Sequence, residues 1–294
     1  KMCIHDASFS ELECSLSCSH WPRDDTAPEE VGPRFRSLLD DVYEQLRANP
    51  QVSFSSHRYG DGEREQIDVY GEELTLGRLF IWIHGGYWQR GSRVDVSPLV
   101  TPLLSAGITV ASIGYELASP SRPVTTIIDS IVQAIEYLLT QVLPSHRERI
   151  VVGGFSAGAQ LAFKAVARLR SPLIAGVALF AGATDLRVLP ETCYGKAIGL
   201  SVSDAAAASC EGAELAGLPR HIDALVAVGD KDAPGILKMV ERMAEEMKRD
   251  ASKLVRTRME VLPGDDHFSL IARMIEEGGR HQKLLLAIAS GDGF

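Results

Sequence analysis

The segment Ile150-Val151-Val152-Gly153-Gly154-Phe155-Ser156-Ala157-Gly158-Ala159-Gln160 runs from β-formers through glycine, serine and glycine into helix-formers. A G-x-S-x-G turn between strand and helix needs small residues beside the serine, because its crowded backbone lifts the hydroxyl clear of the sheet. Such a hydroxyl is a poor nucleophile at neutral pH until a base accepts its proton, so Ser156 requires a histidine and an acid later in the chain. Three histidines follow it: His221, His267 and His281. His267 comes after the strand-like stretch 256–262 and the turn Pro263-Gly264-Asp265-Asp266, on a loop that can hang over the serine, and is the expected base. His221 opens a strand and His281 lies deep in a terminal helix, so both are expected to be structural or exposed. The acid is expected just past the strand 222–228, within Gly229-Asp230-Lys231-Asp232-Ala233-Pro234. Asp232 is favoured over Asp230, because Gly-x-x-Asp is the usual spacing beside such a serine. Either aspartate could also be a plain turn former.

Acyl transfer also needs donors aimed at the oxygen where negative charge develops. His84-Gly85-Gly86-Tyr87-Trp88 follows the apolar run Leu79–Ile83, and a Gly-Gly turn there can free backbone amides. The amides of Gly86, Tyr87 and Ala157 are the expected oxyanion hole. His84 precedes the serine and is expected to brace its loop. Trp88 and Phe155 are expected to border the substrate with aromatic surface.

These groups must be held by a scaffold, and its outline is readable. Phe35, Leu38, Leu39, Val42, Tyr43 and Leu46 predict a helix over 33–48, stopped by Asn49-Pro50. From about residue 52 the period shortens, with strand-like segments at 67–70 and 79–83. Apolar runs recur near 108–113, 150–153, 173–180, 222–228 and 255–262, separated by helix-like stretches such as the Ile127–Leu139 stripe and a helix after Pro234. That alternation predicts an α/β fold with a mostly parallel central sheet covered by helices on both faces. Residues 185–220 break the pattern, and an insertion there would cap the C-terminal ends of the strands. The chain is read as one domain, 1–294, with residues 1–50 as an N-terminal extension and helix.

Composition narrows the partners. Of 294 residues, 45% are apolar and 23% charged, in keeping with a globular chain that buries a full core. The net charge of -9, without any basic block, disfavours nucleic acid and anionic membrane surfaces. Five cysteines, at 3, 14, 18, 193 and 210, do not suggest a secreted disulfide framework, so reduced thiols and a cytoplasmic location are expected. Cys14 and Cys18 could pair as metal ligands, but no second Cys/His pair stands at zinc spacing, and neither a metal nor another cofactor is expected. No apolar leader or run of about 18 apolar residues occurs. The expected partner is a small-molecule substrate; a homodimer is compatible with the sequence.

The strings HGGYW at 84–88, GFSAGAQLA at 154–162 and DHFSL at 266–270 resemble the kynurenine formamidase (arylformamidase) family of the α/β-hydrolase superfamily. The resemblance extends to Glu11-Leu12-Glu13 with Ser19 and Trp21, to Asp61-Gly62-Glu63 before Ile67-Asp68-Val69-Tyr70, and to Gly182–Leu186 and Gly199–Ser209. It implies an α/β-hydrolase fold, a triad at Ser156, Asp232 and His267, and removal of formate from N-formyl-L-kynurenine in tryptophan catabolism. The family often carries His where Phe155 and Gln160 stand, Asp-Ser-Pro-Glu-Phe at 232–236, and Ser-Pro at 209–210. These differences surround the pocket, so they bear on substrate choice. A small-acyl carboxylesterase of the HGG type is the alternative.

Overall fold

A computed structural model of the chain describes residues 9–74, 77–215, 218, 221–249 and 255–292. The opening residues 1–8, on which the reading of the N-terminus partly rests, lie outside them.

Eight strands form one sheet: β1 (Phe54–Arg58), β2 (Gln66–Tyr70), β3 (Arg78–Ile83), β4 (Thr109–Ile113), β5 (Arg149–Phe155), β6 (Ile174–Phe180), β7 (Ile222–Gly229) and β8 (Val255–Leu262). Their order is β1-β2-β4-β3-β5-β6-β7-β8. β1 and β2 form an antiparallel hairpin whose second strand runs antiparallel to β4, and all later pairings are parallel. The parallel strands need covered faces, which explains why β4, β6 and β7 are buried along their whole length and read as continuous apolar runs. Helices Val124–Tyr137, Ala157–Leu169, Pro234–Lys248 and Arg280–Ser290 follow the strands. The first buries Ile127, Ile128, Ile131 and Ile135 at helical spacing.

The helix expected over 33–48 begins earlier, at Pro28, and ends at Ala48. Proline suits a first helical position, where its missing N–H would have no partner, and Glu29 and Glu30 favour the positive end of the dipole. The described residues of 185–220 form short helical pieces, among them Cys193–Ala197 and Val202–Ala208.

Cys14 is disulfide-bonded, which corrects the expectation of reduced thiols throughout. Pairing depends on whether two Cβ atoms are brought together, which a count of cysteines does not reveal. Cys18, Cys193 and Cys210 are free. Among the described residues, no helix is long and apolar enough to cross a membrane.

Candidate active site

Ser156 sits where β5 ends and helix Ala157–Leu169 begins, with φ 55° and ψ -119°. A non-glycine residue in this region costs about 1–3 kcal/mol and persists only where its surroundings over-determine it. They do: the Ser156 N–H donates to Phe180 O (2.9 Å), and its carbonyl accepts from Ala159 N (3.1 Å) and Ala183 N (3.2 Å). The flanking glycines are required by close approach. A Cβ on Gly154 would lie 2.2 Å from Gly158 O, and one on Gly158 would lie 2.1 Å from Ile83 O and 2.4 Å from His84 O. Gly158→Ala should therefore push apart two backbone segments, with a stability loss of about 1–3 kcal/mol or more and a fall in turnover. Thermal unfolding and initial rates check this; a variant with wild-type melting and activity would show that the packing is looser than these distances imply.

His267 is buried on the loop after β8, and its Nδ1 donates to both oxygens of Asp232, at 2.9 and 3.1 Å. Asp232 follows β7, is buried, and also accepts from Ala233 N (2.6 Å). The two aspartates of this loop take different positions. Asp230 turns away, accepting from Gly264 N (2.7 Å), where it ties the β7 loop to the β8 loop. Burial alone would lower the His267 pKa, but the Asp232 carboxylate, together with the neighbouring Cys18, outweighs it and holds the imidazole well above its usual range.

Two residues the sequence reading passed over position this loop. Asp266 accepts from Phe268 N and Ser269 N, and from Arg23 N of the N-terminal segment. Asp265, buried, binds His281 Nε2 (2.7 Å) and Arg273 (3.1 Å), which ties the terminal helix carrying His281 to this loop. His221 is exposed at the foot of β7.

Ser156 and His267 line the same cavity. Among the described residues, the Ser156 hydroxyl does not hydrogen-bond to the ring. Such bonds are often long without substrate and tighten when it binds.

The backbone amides of Gly86, Tyr87 and Ala157 have no acceptor among the described residues. The loop before them is braced by His84, whose Nδ1 meets Gly85 O (2.9 Å) and whose ring stacks on Tyr115 at 4.2 Å. Tyr87 and Trp88 adopt left-handed φ values of 52° and 59°. Each is held by its side chain: the Tyr87 hydroxyl donates to Leu16 O (2.6 Å) while its ring stacks on Tyr194 at 4.4 Å, and Trp88 Nε1 donates to Gln160 Oε1 (3.0 Å). That last contact corrects the assignment of Trp88 to the substrate. The backbone twist turns the indole into the core, where it is 1% exposed and does not line the cavity. Phe155 does line it, with its ring 4.6 Å from that of His267.

The cavity holds about 560 Å³, a usual size for a small-molecule site. Phe35, Phe155, Phe268, Tyr87 and Tyr194 contribute aromatic wall. Phe35 lies 5.2 Å from Phe268 and 6.2 Å from Phe155, centroid to centroid. Much of the outer wall comes from the N-terminal segment, through Cys18, Glu29, Phe35 and Arg36 among others, whereas residues 185–220 contribute Tyr194. Sequence patterning does not show this, since residues 18–39 lie more than 110 positions from Ser156 and their periodicity predicts only a helix from residue 33 onward.

A buried strand-to-helix serine, a histidine on an aspartate beyond the later strands, and a Gly-Gly turn after β3 are the parts of one known architecture. The sequence pattern of the α/β-hydrolase fold matches residues 80–269, and the chain belongs to that family. It is similar along nearly its whole length to two proteins named kynurenine formamidase. The one from Salmo salar is 27% identical over 290 residues, covering 96% of each chain. The one from Danio rerio is 29% identical over 289 residues, covering 95% of this chain and 96% of the relative. Among solved structures, an esterase from Pyrobaculum calidifontis superposes with a TM-score of 0.69 at 21% identity, over 90% of this chain and 94% of that one. A likeness at that identity speaks for the fold alone.

Proposed function

We propose that this protein is a serine-dependent arylformamidase that cleaves N-formyl-L-kynurenine, or a similar N-formyl aryl amide, to the free amine and formate. What carries this assignment is a cavity that joins Ser156 and the His267–Asp232 pair to aromatic walls, in a chain similar end to end to relatives named for that activity.

In the proposed reaction the Ser156 hydroxyl attacks the formyl carbon while His267 Nε2 takes its proton. The carbonyl oxygen becomes an oxyanion held by the amides of Gly86, Tyr87 and Ala157. Asp232 keeps Nδ1 protonated and stabilises the imidazolium. Collapse breaks the C–N bond, and the imidazolium gives its proton to the departing aryl amine. A water then attacks the formyl ester, again losing a proton to His267, and formate leaves as Ser156 recovers its hydrogen. The aryl ring can stack among Phe35, Phe155 and Phe268 during both steps.

The base works only when unprotonated. Because Asp232 raises the His267 pKa, the neutral form is lost as pH falls through that raised value, so kcat/KM should decline on an acidic limb centred above about 6.5, the ordinary histidine value. A pH–rate profile checks this, and a limb centred well below that value would contradict it.

Acyl length separates formamidase from esterase. Apolar pockets reject one methylene by about 1–3 kcal/mol, so kcat/KM should fall roughly 10- to 200-fold from the formyl to the acetyl derivative of one aryl amine, and further to the butyryl. Equal efficiency on the butyryl compound would instead favour a general small-acyl carboxylesterase.

A further inference from the structure

Hydrolysis as proposed uses Ser156, His267 and Asp232, yet a fourth reactive group stands among them. Cys18, on the short turn Cys18–His20, is a free thiol, 6% exposed, and lines the cavity. Its Sγ, a ring nitrogen of His267 and a carboxylate oxygen of Asp232 all lie within 4.8 Å of one another. We propose that Cys18, His267 and Asp232 form a binding site for a soft divalent cation of the zinc class, and that its occupation switches the hydrolase off.

The donor set matches the ion. Zinc takes thiolate at about 2.3 Å and imidazole or carboxylate at about 2.0–2.2 Å in tetrahedral array, so donors on one ion lie roughly 3.3–3.6 Å apart. With all three donors within 4.8 Å of one another, no pair needs to close by more than about 1.5 Å, and the His267–Asp232 pair already stands at 2.9 Å. All three are buried, so little water must be displaced from them, and the cavity offers the ion a route in and a fourth position for water. Hard cations such as Mg²⁺, which favour all-oxygen shells and dehydrate reluctantly, fit poorly.

Inhibition follows from lone-pair accounting. The Asp232 carboxylate stands on the Nδ1 side of the ring, so an ion that it shares with His267 binds Nδ1. The proton held there moves to Nε2, which removes the lone pair that must accept the Ser156 proton, and the thiol loses its proton to the solvent. No electron changes hands, and a chelator restores the starting state.

The inference rests on His267 being the base, so binding is tested apart from turnover. The full chain carrying Cys193→Ser, which removes an exposed free thiol, is titrated with Cd²⁺ and the ultraviolet cadmium–thiolate charge-transfer band is recorded. A saturating band is expected, and it should vanish when Cys18→Ser or Cys18→Ala is added. In parallel, Zn²⁺ inhibition is measured with any ester or amide the protein hydrolyses, each variant normalised to its own metal-free rate. Loss of Cys18 should weaken inhibition by about tenfold or more, the scale on which perturbing a ligand's support weakens metal sites, and Mg²⁺ should not inhibit. No band with Cys18 present, a band that survives its replacement, or unchanged zinc inhibition without it would overturn the site. A protein that binds Cd²⁺ through Cys18 but cleaves no formamide would leave the site standing and sink the formamidase assignment alone.

Discussion

Ser156→Ala should yield a folded protein whose turnover falls by about 10³-fold or more, the usual loss for a triad nucleophile. The residue is 3% exposed and its anchoring bonds run through the backbone, to Phe180, Ala159 and Ala183. Removing one oxygen therefore leaves the elbow's scaffold in place. Alanine does not relieve the left-handed φ of 55°, so no large gain in stability should accompany the loss. Matched circular dichroism and initial rates check both halves. A variant retaining more than about a tenth of wild-type activity would remove Ser156 from the role.

The second large effect belongs to the acid. Asp232→Asn should lower kcat by about 10⁴-fold, because an amide NH₂ facing Nδ1 favours the wrong tautomer of His267. Both oxygens of Asp232 meet Nδ1 in a buried setting, so no water can substitute. Asp230→Asn removes a charge from a partly exposed group whose bond is to Gly264 N, and should cost at most about 1 kcal/mol of stability with little kinetic change. Steady-state kinetics of the two variants decide between them, and reversed losses would move the acid to Asp230.

Much of this arrangement was legible in the sequence, for identifiable reasons. Buried parallel strands must be apolar throughout, so β3 to β7 announced themselves as runs. The elbow was legible because its strain demands glycine on both sides. β1 escaped, since Phe-Ser-Ser-His-Arg lies at the sheet edge and alternates between exposed and half-buried positions without an apolar run. Trp88 was misplaced because adjacency in sequence does not fix direction: two successive left-handed residues swing the indole toward Gln160. Cys18 and Phe35 reach the site only by folding the N-terminal segment across it, and nothing in their local spacing encodes that. Asp265 and Asp266 looked like turn formers, and their tertiary partners His281, Arg273 and Arg23 became visible only in three dimensions.

Ser156 is proposed to open a formamide bond. The most direct test is formate release from N-formyl-L-kynurenine, measured beside hydrolysis of p-nitrophenyl acetate by the same preparation. Formate and free amine should appear in equal amounts, with kcat/KM above about 10⁴ M⁻¹s⁻¹, the lower end for enzymes on their own substrates. A preparation that hydrolyses the ester but releases no formate from N-formyl-L-kynurenine would contradict the account.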